Sequence, residues 1–486
     1  MKQHIIKIFK IVPIILITLS SCDSYLELEP QDNLIQGEFW QNKEQVSAAV
    51  AGCYASMNQS AFTSRVLMWG ELRAEMIVAS ESSSNNARNM MKNYILPTNN
   101  LVEWKSFYAT INYCNLVLEF ADGAQENDLS FTEQELHRFK AEVLTIRSLV
   151  YFILVRNFKE VPLVLTATAN SQTDFYPAKS SEADIIAQII TDLNAAVEDL
   201  NLGYSESAAH DKGRMTKGAA LAILADVYLW NNQFNDCIAA CNSIIELGKY
   251  NLVESSEWFN QLFFEGNSTE GIFELQFSDI NATIRDGFYI STPNYAPYQE
   301  IIDLYFEYPS DVRGDKATFD FSGYVFKYAG INNSGFYRAS DEFYNNFIFY
   351  RYADVLLMQA EAYILSSDFK NLPVAYNLID QVHQRAIGAP LDASLDEQSL
   401  LTALLLERQK EFAFESKRWY DLLRFARRNE FENQQLILDL ADIKSGADDY
   451  DQILSYYSDS ESYFLPIDQN EVNLNPQLLQ NPYYEN

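Results

Sequence analysis

Histidine, cysteine, glycine and proline are scarce in this chain, and cationic side chains are outnumbered. Its 486 residues hold 4 His, 5 Cys, 17 Gly and 13 Pro, with 35 Lys+Arg against 67 Asp+Glu. Five cysteines do not make a disulfide scaffold, and a chain this long can bury a core without one. The low glycine and proline content excludes collagen-like and low-complexity classes. The net charge of −32 repels phosphate backbones and anionic lipid surfaces, and no basic stripe offsets it, so no nucleic-acid partner is expected. There is no Gly-x-Ser-x-Gly elbow, no phosphate-cradling glycine loop and no His-Glu-x-x-His pair. Beyond the N-terminus no apolar run approaches the 18 or so residues a membrane-spanning helix needs.

What is present is a folding composition: 48% hydrophobic and 21% charged residues exclude a disordered chain. The 30 tyrosines and 31 phenylalanines are more than an ordinary core. Each buried phenol needs a partner, so some tyrosines belong on a surface or in a groove. The first residues carry an address. Lys2, Lys7 and Lys10 precede a short apolar stretch over 11–19, and the run ends Leu19-Ser20-Ser21-Cys22. This order predicts a signal peptide over 1–21, and the last four residues resemble the lipobox of bacterial lipoproteins, with Cys22 the acylated first residue. Two or three acyl chains anchor stably. Residues 22–35 read as a lipidated tether and 36–486 as one domain. The remaining cysteines are Cys53, Cys114, Cys237 and Cys241; the last two are spaced for one helix face and read as buried free thiols.

Helical periodicity starts near Phe39-Trp40 and returns over 101–121. Residues 132–158 are strongly amphipathic, with Thr132 and Glu135 spaced as a capping box and Pro162 expected to end the element. Residues 224–234 align with 359–369 at a constant offset of 135: small with small, Asp226 with Glu361, Tyr228 with Tyr363, Phe234 with Phe369. Each copy runs on into a second helix. This is the logic of a tetratricopeptide-like pair, in which the aromatic past the turn plugs the hairpin. Such pairs stack, because none can bury its apolar stripe alone. The expected fold is therefore all-α, a helix-pair scaffold with minor β. Three stretches lack period and read as irregular: 79–100, about 248–346 (with one alternating strand at 272–277) and 441–486. A long irregular insertion in a folded chain is usually functional.

His137, His210 and His383 are scattered, no Asp-x-Asp-x-Asp-Gly loop exists, and neither a catalytic residue, a metal nor a cofactor is expected. Glu407, Arg408, Glu411, Glu415, Arg418 and Asp421 interleave with apolar positions, as do Arg351, Asp354 and Glu361. Structural salt bridges between helices explain them better than acid–base chemistry. The aromatic, amide-rich loops remain. A sugar presents apolar C–H faces and rings of hydroxyls, so its binder needs flat aromatics flanked by amides or Arg. Loop 79–100 offers Asn85, Asn86, Arg88, Asn93 and Tyr94; loop 278–298 offers Asn281, Arg285, Phe288, Tyr289, Asn294, Tyr295 and Tyr298; loop 321–345 offers Tyr324, Asn332, Asn333, Phe336 and Tyr337. The candidate ligand-binding residues are Asn86, Arg88, Tyr94, Arg285, Tyr289, Tyr295, Tyr298, Tyr324 and Tyr337.

Taken in order, several motifs resemble those of the SusD/RagB family of Bacteroidota. They are Tyr25-Leu26-Glu27-Leu28-Glu29-Pro30, Phe39-Trp40, Trp104-Lys105-Ser106-Phe107-Tyr108 with Ile111 and Asn115, and Arg147 through Tyr151-Phe152 to Val161-Pro162. Thr216-Lys217-Gly218-Ala219-Ala220, residues 351–362, residues 407–424 and the tail Leu465-Pro466-Ile467 with Asn475-Pro476 and Gln480-Asn481-Pro482 continue the series. Lys159 and Ser416 stand where that family commonly has glycine. The resemblance implies a tetratricopeptide-like scaffold, an outer-membrane lipoprotein facing outward, capture of an oligosaccharide without chemistry, and a TonB-dependent β-barrel transporter as partner. It transfers no ligand residue, because the family's binding loops vary. A peptide or other non-glycan nutrient and a surface glycosidase remain the alternatives.

Overall fold

The computed structural model describes residues 39–168, 176–278, 294–331, 345–446 and 449–485, with Phe288 and Arg338 between them. It is 60% helix and 6% strand, an all-α chain with minor β, as expected.

The first helices are α1 (Lys43–Met57), capped by Asn42, and α2 (Ser60–Leu67). Strand β1 (Ile77–Ala79) and the short α3 (Asn85–Met91) follow. Then come α4 (Lys105–Asn127), α5 (Glu133–Phe158) and α6 (Glu182–Asp199). α5 is the central rod. Thr132 and Glu135 form the predicted capping box, and almost every side chain after Phe139 is buried against α1, α4 and α6. Its buried cations are all held: Arg147 pairs with Asp192 at 2.6 Å and Asn115 at 2.7 Å, and Arg156 with Asp226 at 3.2 Å.

The internal echo is structural. α7 (Lys217–Trp230) and α9 (Tyr352–Leu365) start and stop 135 residues apart. Each packs on the helix that follows it, α8 (Phe234–Glu246) or α10 (Leu372–Ile387), and α8 packs on α9. α11 (Glu397–Glu411) closes on α9 and α10, and α12 (Arg418–Phe431) follows. The repeated acids do the same work in both copies: Asp226 holds Arg156, and Glu361 holds Arg424 at 2.8 Å and Arg428 at 2.5 Å. The repeated aromatics diverge. Phe234 packs on the core, whereas Phe369 is 57% exposed and plugs nothing; its backbone N–H is instead tied to Ser366 Oγ.

Among the described residues three antiparallel two-stranded sheets interrupt the helices. β2 (Gly271–Leu275) pairs with β6 (Phe347–Arg351), β3 (Tyr295–Pro297) with β1, and β4 (Phe319–Asp320) with β5 (Tyr324–Val325). β2 is the predicted strand, but all five residues are buried, so its alternation does not mark a solvent face. Polar Glu274 is accommodated by Asn267 N–H at 3.0 Å and Asn346 Nδ2 at 2.9 Å. The irregular reading of 248–346 therefore needs correcting. Val253, Trp258, Leu262, Phe263 and Ala317 of that segment form a small core with Ile348 of β6, from pieces too short to show a period. The same holds for 79–100, which contains α3, and for the tail, which contains α13 (Tyr450–Tyr457).

Pro162 does not end α5; Phe158 does. Lys159 follows at φ +66°, ψ −55°, and Glu160 N–H reaches Phe158 O at 2.7 Å. This is a γ-turn, the strained kind. Ser416, the other position where glycine was expected, has φ +59°. Both turns survive without glycine. At Ser416 the glycine is on the other side of the contact: a Cβ on Gly70 would lie 2.6 Å from Ser416 Cα.

Candidate ligand-binding surface

The pairing of β1 with β3 decides which sequence-distant loops meet. Ala79 faces Tyr295 and Ile77 faces Pro297. Beyond the strands Ser80 N–H donates to Asn294 O at 2.9 Å, and Tyr298 N–H to Met76 O at 3.1 Å. β5, carrying Tyr324, lies against β3. Parts of all three predicted loops are thus brought together.

Within loop 79–100, Ser84 caps α3 by accepting from Ala87 N–H, and Ala87, Met90 and Met91 bury its inner face. Arg88 is turned inward. Its Nη1 donates to the carbonyls of Ser80, Glu81 and Ser83 at 3.3, 2.9 and 2.5 Å, and Nη2 to Asn85. The guanidinium therefore holds the loop's shape. Asn86 donates to Asn100 Oδ1 at 2.8 Å. Asn93 is buried at φ +57° and its Nδ2 donates to Tyr456 O at 3.0 Å, clamping the end of α13.

That clamp sets an aromatic pair. Tyr94 is 41% exposed, and its ring lies 5.2 Å from that of half-buried Tyr456 at 30°. Gln452 Nε2 donates to Tyr456 Oη at 2.8 Å. Sequence reasoning missed Tyr456 because it sits in the tail read as irregular; the Tyr456-Tyr457 doublet was the available signal. Tyr295 is half-buried, 5.8 Å from the ring of Phe288, and burial raises its phenol above the ordinary value. Phe288 is itself buried on Tyr328 at 5.1 Å. Tyr324 is half-buried at the β4–β5 turn. Tyr298 is 7% exposed and offers no face to solvent, and its buried hydroxyl has no protein partner among the described residues. Arg285, Tyr289, Tyr337 and Cys22 lie outside the described residues. The surface can stack an apolar ring face and present amides beside it, and among the described residues it brings together no acid–base pair.

The charged cluster of the C-terminal helices is of another kind. Glu411 receives Arg313 at 2.9 Å, Arg351 at 2.5 Å and Arg385. Arg351 also holds Glu270 at 2.6 Å and Glu415 at 2.9 Å. Asp354 is bound by Lys417 at 2.6 Å and Arg408 at 2.9 Å; Arg408 reaches Asp421 at 2.9 Å. Arg418 pairs with Glu75 at 2.5 Å. Burial alone would push Glu411 up, yet the three guanidiniums hold it well below the carboxylate range. These groups are buried and mutually neutralised. They are the structural salt bridges expected. Cys53, Cys114, Cys237 and Cys241 are buried free thiols, also as expected.

A family model described as "SusD family" matches residues 261–484, and one described as "Starch-binding associating with outer membrane" matches 24–229. The chain belongs to the SusD/RagB family. Similar curated relatives from Formosa agariphila include SusD-like protein P38, 24% identical across 84% of this chain and 88% of the relative, and SusD-like protein P2, 26% identical across 86% and 90%. Crystal structures of SusD superfamily proteins share the fold. One from Bacteroides vulgatus superposes with TM-score 0.74 at 24% identity, covering 91% of this chain and 99% of its own. One from Bacteroides thetaiotaomicron gives 0.73 at 21%, covering 90% and 99%. Among the described residues of this SusD-family chain, no helix is long and apolar enough to cross a membrane.

Proposed function

We propose that this SusD-family chain is a non-catalytic, outward-facing lipoprotein of the outer membrane, anchored through acylated Cys22. It captures an oligosaccharide and delivers it to a partner TonB-dependent β-barrel transporter. Residues 1–21 are removed as the signal peptide, 22–35 form the tether, and 36–486 act as one domain. The observation that carries the reading is the meeting of three aromatic, amide-bearing loops around the β1–β3 pair, on a scaffold locked by buried ions. Rigid placement matters because a preformed site spends little binding energy on ordering. Tyr94, Tyr456, Tyr295 and Tyr324 are the stacking candidates; Asn86 and Asn294 supply amides; Arg88 positions the loop. The description of the family model over 24–229, starch-binding with an outer-membrane association, supports the ligand class and location.

Calorimetric titration tests it. With an oligosaccharide that binds the wild type, Tyr94→Ala and Tyr295→Ala are each expected to weaken binding about 2- to 10-fold, the loss of one aromatic contact of ~0.5–1.5 kcal/mol. Unchanged affinity in both variants rejects this surface.

A further inference from the structure

A cavity of about 530 Å³ opens on α11, shares no lining residue with the tyrosine surface, and contains a cation that the fold does not use. Lys410 lines it and is 2% exposed. Its neighbours Arg313, Arg351 and Arg408 each hold at least two carboxylates. Lys410 Nζ has no carboxylate in ion-pair range and no hydrogen bond among the described residues. Its one recorded partner is the face of Tyr308, 5.3 Å from the ring centroid. Burial, and then the charge of Arg313, lower its pKa, against the pull of Asp311, Glu407 and Glu307 from beyond ion-pair range. A buried ammonium without an ion pair is costly, and an anion placed in contact with it recovers part of that energy.

The rest of the wall defines what kind of anion. His383 Nδ1 bonds Glu407 Oε2 at 2.9 Å, and Glu407, ionised against Arg313 at 2.6 Å, makes Nδ1 the donor. Nε2, on the other side of the ring, makes no hydrogen bond among the described residues. Tyr308, half-buried and edge-on to His383 at 6.1 Å, presents a flat wall. Glu307, Asp392 and Asp396 stand exposed at the mouth. Their charges oppose a polyanion but accept from hydroxyls. The floor thus wants one anionic oxygen, the walls an apolar face, and the rim hydroxyl groups.

We propose that this cavity is a second binding site, for a small monoanionic, polyhydroxylated ligand of the sugar-acid class. Its carboxylate meets Lys410 and its ring lies along Tyr308. The site goes beyond the oligosaccharide surface and does not depend on it.

Glucuronate titrated into the full chain in detergent, with glucose and inorganic sulfate in parallel, provides the test. Glucuronate is expected to bind saturably, and glucose and sulfate at least tenfold more weakly. Lys410→Met is expected to lose glucuronate binding at least tenfold while its melting temperature stays level or rises, since it removes an unpaired buried charge. Lys410→Arg should recover part of the affinity. Tyr94→Ala should leave glucuronate binding untouched, which separates this site from the tyrosine surface. Absence of glucuronate binding, equal binding of glucose, sulfate as tight as glucuronate, or full affinity in Lys410→Met would each overturn the proposal.

Discussion

Single residues carry much of the chemistry here. Glu361 and Asp354 are fully buried carboxyls. Burial would raise both, but Arg424 with Arg428, and Lys417 with Arg408, outweigh it and hold each at about 2. Both titrate lower in the folded chain than in the unfolded one. Their stabilisation is therefore complete above the ordinary carboxylate pKa of about 4 and is lost as pH falls toward 2, on the order of 2–3 kcal/mol each. Thermal melts from pH 7 to pH 2 should show a steep fall below about pH 4. A melting temperature flat to pH 2 contradicts the assignment. Lys159 is a second case. Its γ-turn stores about 1–3 kcal/mol, while its part-exposed contact with Glu461 at 2.7 Å returns about 1 kcal/mol or less. Lys159→Gly should raise stability by about 1 kcal/mol in urea unfolding; a lowered midpoint shows that the ion pair dominates. That glycine was expected at 159 and at 416 was legible in the sequence. That Lys and Ser would adopt the same positive φ was not, because backbone conformation at such turns is set by what packs around them.

At the scale of elements, legibility followed length. α5 and the α7/α9 echo show many helical turns, so periodicity, the capping box and the 135-residue offset located them. α3 has seven residues and β4 two; neither completes enough of a repeat to register. The candidate surface was half legible for the same reason. Composition marked the three loops, but the β1–β3 register joins Tyr295 to the 79–100 loop, and Asn93's bond to Tyr456 O, with the Lys92–Asp449 ion pair, brings α13's ring beside Tyr94. Burial could not be read from residue type either: Tyr298 and Tyr295 are three positions apart, and only Tyr295 keeps a solvent-facing part. Asn93→Ala should loosen the clamp. It leaves Tyr456 O without its side-chain donor, a loss of about 1–3 kcal/mol, and should weaken ligand binding alongside Tyr94→Ala. Unaltered binding with lowered stability would place Tyr456 outside the site.

Across the whole molecule, the helix stack is fastened by buried ions as well as by its apolar core. Glu411 lies at the junction of α9, α10, α11 and the segment carrying Arg313, and Glu411→Gln leaves three guanidiniums undercompensated. A loss of about 3–5 kcal/mol in urea unfolding is expected; a change below 1 kcal/mol contradicts the view that this network is a fastening. Such a scaffold has few reasons to move, which suits a surface that grips and releases rather than one that transforms. The most direct measurement is therefore a glycan array probed with the full chain, followed by reducing-end detection on every glycan retained. The account predicts saturable capture of at least one oligosaccharide, weakened by Tyr94→Ala, with no new reducing ends. An array that stays blank, or a bound glycan that is cut, would contradict it.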